Sequence, residues 1–234
     1  AGAAPAPAAL PPSPMLETMI TSPGKKAPLF AHLWSSPLID EKNVPLDELD
    51  VKNEQRLMQK ILQKSPRKVR WYTKVAQTQA FIDSFVRSRV LHFTGHGLRG
   101  SVTFEHSVPM KLGVMQLVDE DQLAQMLSFG AEEGRRPDLV FVSACHSEDV
   151  GRAFVKVGVP HVVAITKDKP VLDNASQEFA ESFYAALLQG DTVQQAFHLA
   201  KSRVMFTDNH LAESEKFMLL GPPNQDHNQA IFGD

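Results

Sequence analysis

The chain has 234 residues, 43% of them hydrophobic and 22% charged, with a formal net charge of −3; this is enough chain to bury a sizeable core as one large domain or two small ones. The near balance of charge excludes a broad nucleic-acid or polybasic membrane surface, and the small basic clusters at Lys64–Lys68 and Arg135-Arg136 read as solvated loops. A single cysteine excludes an internal disulfide framework and a cysteine-rich zinc site and fits a reducing, cytoplasmic compartment, while no apolar run approaches the roughly 20 residues of a membrane span.

Residues 1–14 are Ala or Pro except Gly2, Leu10 and Ser13. Proline fixes φ and removes backbone donors, so residues 1–27 read as an extended, disordered linker, and the start on Ala implies a piece of a longer chain. From Pro28 the pattern becomes regular. PLFAHLWSS (28–36) reads as a buried strand, and 47–63 as a helix carrying Leu49, Leu57, Ile61 and Leu62 inward. VRWYTKV (69–75) is strand-like in its β-branched and aromatic content. Residues 78–88 form a helix with Thr78 as N-cap and Phe81, Ile82, Phe85 and Val86 on one face. RVLHFT (89–94) is a strand, and 101–117 a hairpin excursion around Pro109 and Gly113. A helix follows over about 119–129 with Leu123, Met126 and Leu127 inward, then the most apolar strand, DLVFVSA (138–144). The remaining elements are a helix at 148–158, a strand at 161–166, helices at 173–189 and 192–205, and a last strand at 216–221. Short apolar strands alternating with helices predict an α/β fold with a mostly parallel sheet covered on both faces. The domain spans 28–221, followed by a polar C-terminal tail at 222–234.

VLHFTGHGLRGSVTFE (90–105) admits two readings. Gly95, Gly97 and Gly100 spell G-x-G-x-x-G, a dinucleotide loop, and the acidic pair Asp119-Glu120 stands about 20 residues on, where a ribose-binding acid belongs. That reading requires a helix after Gly100, because a helix N-terminus holds the pyrophosphate; SVTFEHSVP is strand-like instead. The other reading takes His96, flanked by glycines at a strand end, as a catalytic base.

Cys145 supplies the partner for the second reading. It stands just past a buried strand and 49 residues after His96, close to a helix N-terminus. Parallel strands would bring both to one edge of the sheet. A histidine base and a helix N-terminus each favour a thiolate, and backbone N–H groups at Gly97 and Cys145 would form an oxyanion hole. Glu148 and Asp149 oppose this if they face the sulfur. His92 and His146 read as structural residues.

LHFTGHG, together with DLVFVSACHSEDVGRAFVKVGVPHVVAIT, resembles the CHAT domain, a caspase-like cysteine peptidase family related to separases, gingipains and metacaspases. The similarity runs from about Pro28 to Gly221 and includes SSPLID, the FAESFYAALLQGDTVQQAFHLAK helices and the EKFMLLG ending. It implies a caspase-like three-layer sandwich and peptide hydrolysis through a thioester without a cofactor or metal. Cys145 would be the nucleophile, His96 the general acid/base, and Gly97 with Cys145 the oxyanion hole. Many relatives carry Glu-Ser-Gly after the cysteine, where this chain has HSED (146–149), without the glycine and with two added acids. In separase-like relatives an acid beyond the next strand receives a basic P1 side chain; Asp173 and Asp168 are the candidates, Asp173 being equally a natural helix N-cap. The resemblance further implies a protein or peptide substrate, neighbouring tetratricopeptide or nucleotide-dependent signalling domains that switch the activity on, and no nucleic-acid or membrane partner. The alternative is a catalytically silent module of the same fold that binds partners.

Overall fold

A computed structural model of the chain describes residues 27–132, 134–207 and 211–232, so the Ala/Pro segment up to residue 26 lies outside the described residues. The order along the chain is β1 (Leu29–Trp34), α1 (Val51–Lys64), β2 (Arg70–Val75), α2 (Thr78–Arg87), β3 (Val90–Thr94), β4 (Gly97–Leu98), β5 (Ser101–Glu105), β6 (Met115–Asp119), α3 (Glu120–Glu132), β7 (Leu139–Ser143), α4 (Glu148–Lys156), β8 (His161–Ile165), α5 (Asp173–Gln189), α6 (Val193–Phe206), α7 (Leu211–Ser214) and β9 (Phe217–Leu220).

VLHFT, LVFVS and HVVAI are buried at every position, as strands covered on both faces must be. They form the centre of a six-stranded sheet ordered β2-β1-β3-β7-β8-β9. All neighbours are parallel except β9, which runs antiparallel to β8. Alternation along each strand divides the core in two. Phe30, Val90, Phe141 and Val163 point to a layer of α1, α5 and α6, where they meet Met58, Phe179, Phe183 and Tyr184. Leu33, Leu91, Phe93 and Val142 point the other way, onto Phe81, Phe85, Leu123 and Phe154 of α2, α3 and α4. Each buried Phe or Leu contributes about 1.5–3 kcal/mol by leaving water. The result is the mostly parallel three-layer α/β sandwich expected from the alternation of elements.

Two details differ from the sequence pattern. α1 turns Glu54 and Met58 inward with Val51 and Ile61, leaving Leu57 only partly covered. Thr78 is the first residue of α2 and not its cap; Gln77 holds that position without a side-chain bond. The hairpin excursion is a separate three-stranded antiparallel sheet, β4-β5-β6. Beyond β9, residues 222–232 fold back: Val193 and Gln194 donate backbone bonds to Gln229 and His227, and Ile231 and Phe232 are buried.

Candidate functional site

The register of β3 against β7 pairs Thr94 with Ser143. His96 and Cys145 therefore stand at the same level, each two residues past that pair on adjacent parallel strands. Gly95 N–H extends the ladder by donating to Ser143 O at 3.2 Å. Gly97 then passes directly against the nucleophile candidate's backbone. A Cβ on it would lie 1.8 Å from the Cys145 carbonyl oxygen and 3.0 Å from its nitrogen, so only glycine fits. A strand, β5, follows Gly100, and the helix N-terminus that a dinucleotide loop needs is not there.

Two hydrogen bonds hold the backbone of His96 in place, from Thr103 N–H and Thr103 Oγ1 to its carbonyl at 3.0 and 3.1 Å. Its ring Nε2 lies 2.8 Å from the carbonyl oxygen of Asp47. A carbonyl only accepts, so Nε2 carries the proton and, in the neutral ring, Nδ1 is left with its lone pair. The sequence pattern gives no hint of this contact, because it uses a backbone oxygen in a connection whose side chains are mostly exposed.

Cys145 is half-buried, and its thiol donates to the Val171 carbonyl at 3.7 Å rather than to His96. Burial pushes its pKa up; Asp173 and Glu213 add to this, and Lys216 works against it. Glu148 is engaged elsewhere. It accepts from Arg152 at 2.8 Å and from Lys167 N–H at 3.4 Å, and the Arg152 bond holds its carboxyl below the usual range. His146 takes a left-handed conformation, φ 55°, and its Nδ1 donates to Lys167 O at 2.7 Å. That conformation is uncommon outside glycine, and it turns the chain sharply between the cysteine and α4.

A cleft of about 400 Å³, including space open to solvent, runs along this edge. One wall is the start of α1 with Asp50 and Glu54, the floor is Thr94, Gly95 and Ser143–Cys145, and the other wall is Val171, Asp173 and Gln177. Asp173 does not cap its helix: α5 begins with Leu172 at the cap and no side-chain bond. Partial burial, then the charges of Glu54 and Asp50, raise its carboxyl, while His96 pulls it back. The cleft lining includes Cys145 and Asp173 but not His96 or Gly97, which stand just beyond Gly95, and not Asp168, which sits on the exposed loop after β8. That loop is pinned from behind: Leu172 N–H donates to Glu213 and Lys216 Nζ to Pro170 O, with Lys216 also bonded to Glu213.

Beneath the floor lies a buried polar cluster. Glu54 accepts from Thr94 Oγ1 at 2.7 Å and from His92 Nε2 at 3.0 Å. His32 Nε2 lies 3.0 Å from the same Thr94 hydroxyl, and His92 Nδ1 lies 2.9 Å from Tyr184 OH. Burial holds His32 neutral, with its pKa lowered to about 3 and His92 contributing. Burial alone would raise Glu54, but the His92 charge and hydrogen bond, aided by His32 and Thr94, bring it down to about 2. His32, Glu54 and His92 have ligand-type atoms within 4.8 Å of one another, a set of the kind that binds metal. The Thr94 hydroxyl, within 3.1 Å of a polar atom of each, already fills the space between them. The donors and acceptors are matched without an ion.

Among solved structures, the Arg specific cysteine proteinase gingipain R is similar at a TM-score of 0.55 and 11% identity, over 86% of this chain and 48% of the gingipain chain. This chain thus spans about half the length of that protein. Caspase-1 from Spodoptera frugiperda is similar at a TM-score of 0.52 and 12% identity, over 84% of this chain and 87% of the caspase. No curated protein matches the sequence. At these identities the two structures establish the fold, which is caspase-like. The family model of the CHAT domain matches residues 28–229, beginning one residue before β1 and ending past β9; the chain belongs to the CHAT domain family.

Proposed function

We propose that this domain is a cysteine endopeptidase in which Cys145 attacks the scissile carbonyl and His96 transfers the proton. The observation that carries the reading is the shared level of the two residues beyond Thr94 and Ser143, with Gly97 packed on the Cys145 backbone. Substrate entering the cleft would displace the thiol from Val171. His96 Nδ1 would take the sulfur's proton, with Nε2–H held on Asp47 O throughout. The tetrahedral oxyanion would meet the Gly97 and Cys145 N–H groups. His96 would then protonate the leaving amine, and water would hydrolyse the thioester with His96 again accepting a proton.

Asp50 and Asp173 on the cleft walls support a basic P1 side chain, with Asp173 as its partner; Asp168 is the weaker candidate, being outside the cleft lining. The raised thiol and its bond to Val171 favour a resting state that is switched on from outside, by tetratricopeptide or nucleotide-dependent signalling domains in a cytoplasmic protein. A silent partner-binding module would show the same raised thiol, and activity separates the two. The test is a proteome-wide cleavage profile of the full-length protein against Cys145→Ala and His96→Ala. New termini that vanish in both variants support the peptidase, and identical profiles refute it. Asp173→Ala is expected to lose cleavage after Arg and Lys selectively; unchanged cleavage there removes Asp173 from that role.

A further inference from the structure

Four links close a ring around His96. The His96 ring donates to Asp47 O at 2.8 Å. From Asp47 the chain runs to Glu54 through the Asp50 cap of α1, whose Oδ1 accepts from Asn53 N–H at 3.2 Å. Glu54 accepts from Thr94 Oγ1 at 2.7 Å. Thr94 is two residues before His96 on β3. The connection that carries the Asp47 carbonyl is mostly exposed and has no regular structure between the isolated bridge at Pro45 and α1. On the β1 side it is tied by Leu46 N–H on Leu38 O at 3.0 Å and Leu49 N–H on Ser36 Oγ at 3.5 Å, and on the other side its placement over the ring depends on where the first turns of α1 are fixed. The polar fixings there are Glu54 on β3, Asn53 Nδ2 on Gln177 at 2.7 Å, and Gln55 Nε2 on Thr73 at 3.1 Å. Among the described residues, only the first acts on β3, the strand that leads to His96.

We propose that Glu54 is a positioning residue: its buried carboxylate, gripping Thr94 and His92, locks the Asp47 carbonyl onto His96 Nε2 and so keeps the Nδ1 lone pair available for the Cys145 proton. The proposal rests on the peptidase reading for its catalytic consequence, but the clamp itself is independent of turnover. A carboxylate is needed because both neighbours donate. An amide at this position presents N–H to one of them and leaves a donor unpaired in a buried site, so the first turns of α1 shift. A shift of the order of 1 Å at a catalytic group costs about hundredfold in rate.

The test uses Glu54→Gln and Thr94→Val, each breaking a different half of the grip, alongside wild type. Long-range ¹⁵N–¹H spectra of the histidines read the tautomer of His96, and the pH dependence of Cys145 alkylation by iodoacetamide reads its coupling to the sulfur. Wild type is expected in the Nε2–H form, and both variants in mixed tautomers with a shifted alkylation profile. On a peptide that wild type cleaves, kcat is expected to fall by about hundredfold with KM within about twofold. Wild-type tautomer and alkylation profile in a folded variant overturn the proposal; should Glu54→Gln fail to fold, Thr94→Val decides alone. A protein that cleaves no peptide but shows the spectral changes loses the peptidase reading and keeps the clamp. One that cleaves peptide equally well with Glu54→Gln overturns Glu54 as a positioning residue for catalysis and keeps the peptidase.

Discussion

The three glycines of residues 95–100 do different work. At Gly100 φ is +75° and nothing lies within 4 Å of an added Cβ, so conformation alone demands glycine there. At Gly97 the demand is space, because the Cys145 carbonyl occupies the Cβ position. Gly95 would meet the Phe93 ring at 2.7 Å, a side chain that can give a little. The consequence is graded. Gly100→Ala is expected to cost about 1–2 kcal/mol, the penalty for a left-handed non-glycine residue. Gly97→Ala should cost about 3 kcal/mol, the upper end for overpacking, since the obstacle is backbone and cannot rotate away. Urea midpoints of the two variants, at unchanged slope, check the order; equal losses would mean the two loops are not locked together. The G-x-G-x-x-G spacing was therefore legible as a demand for glycine, and its cause, the neighbouring strand's carbonyl, was not, because no local pattern encodes which strands pair.

At the scale of elements, strands and helices announce themselves by periodicity, and nearly every one predicted is present, whereas caps and buried polar residues follow tertiary partners. Glu54 illustrates the limit. Among Lys, Asn, Gln and Arg it reads as a solvated helix residue, and its burial is decided by His92, 38 positions away, and Thr94. The same holds for Asp47, whose contribution is a carbonyl any residue would supply. Asp173 shows the reverse error that sequence invites: Asp before a helix suggests a cap, yet α5 uses none of its side-chain oxygens for that. α6, by contrast, has a complete capping box, with Thr192 accepting from Gln195 N–H at 3.2 Å and Gln195 returning a bond at 3.0 Å. Thr192→Ala is accordingly expected to lose about 1 kcal/mol. Asp173→Ala should leave the thermal midpoint unchanged or slightly higher, because the folded surroundings disfavour its charge. A clear drop in the midpoint on Asp173→Ala would return it to a structural role.

For the molecule as a whole, alternating apolar strands and helices specify two faces and one functional edge, and the rest of the assembly fixes which histidines are sealed inside. His32 lies under the cleft floor, and His161 and His227 tie the returning C-terminal segment to β8 through a 2.8 Å contact between their Nδ1 atoms. Of that pair one nitrogen must donate and the other accept, so the contact does not tolerate both rings charged. All three have pKa values lowered from 6.5, by burial first in each case; His92 lowers His32 further, and His227 does the same to His161. The sign follows directly. Unfolded, these rings take up protons as pH falls through about 6.5, while the folded protein keeps them neutral, so the unfolded state gains protons and stability declines. Glu54, lowered to about 2, adds a second decline as pH falls below 4.5, where the unfolded carboxylate protonates first. Unfolding free energy measured by urea titration is expected to be level near pH 7 and to fall below pH 6.5 by about 1.4 kcal/mol per pH unit for each proton taken up on unfolding. His32→Gln removes one such proton and should flatten the slope between pH 6 and 4 by about that amount. A wild-type curve that stays level down to pH 5, or a variant with an unchanged slope, would show that the rings are charged inside the fold and that the buried cluster beneath the cleft is held together differently.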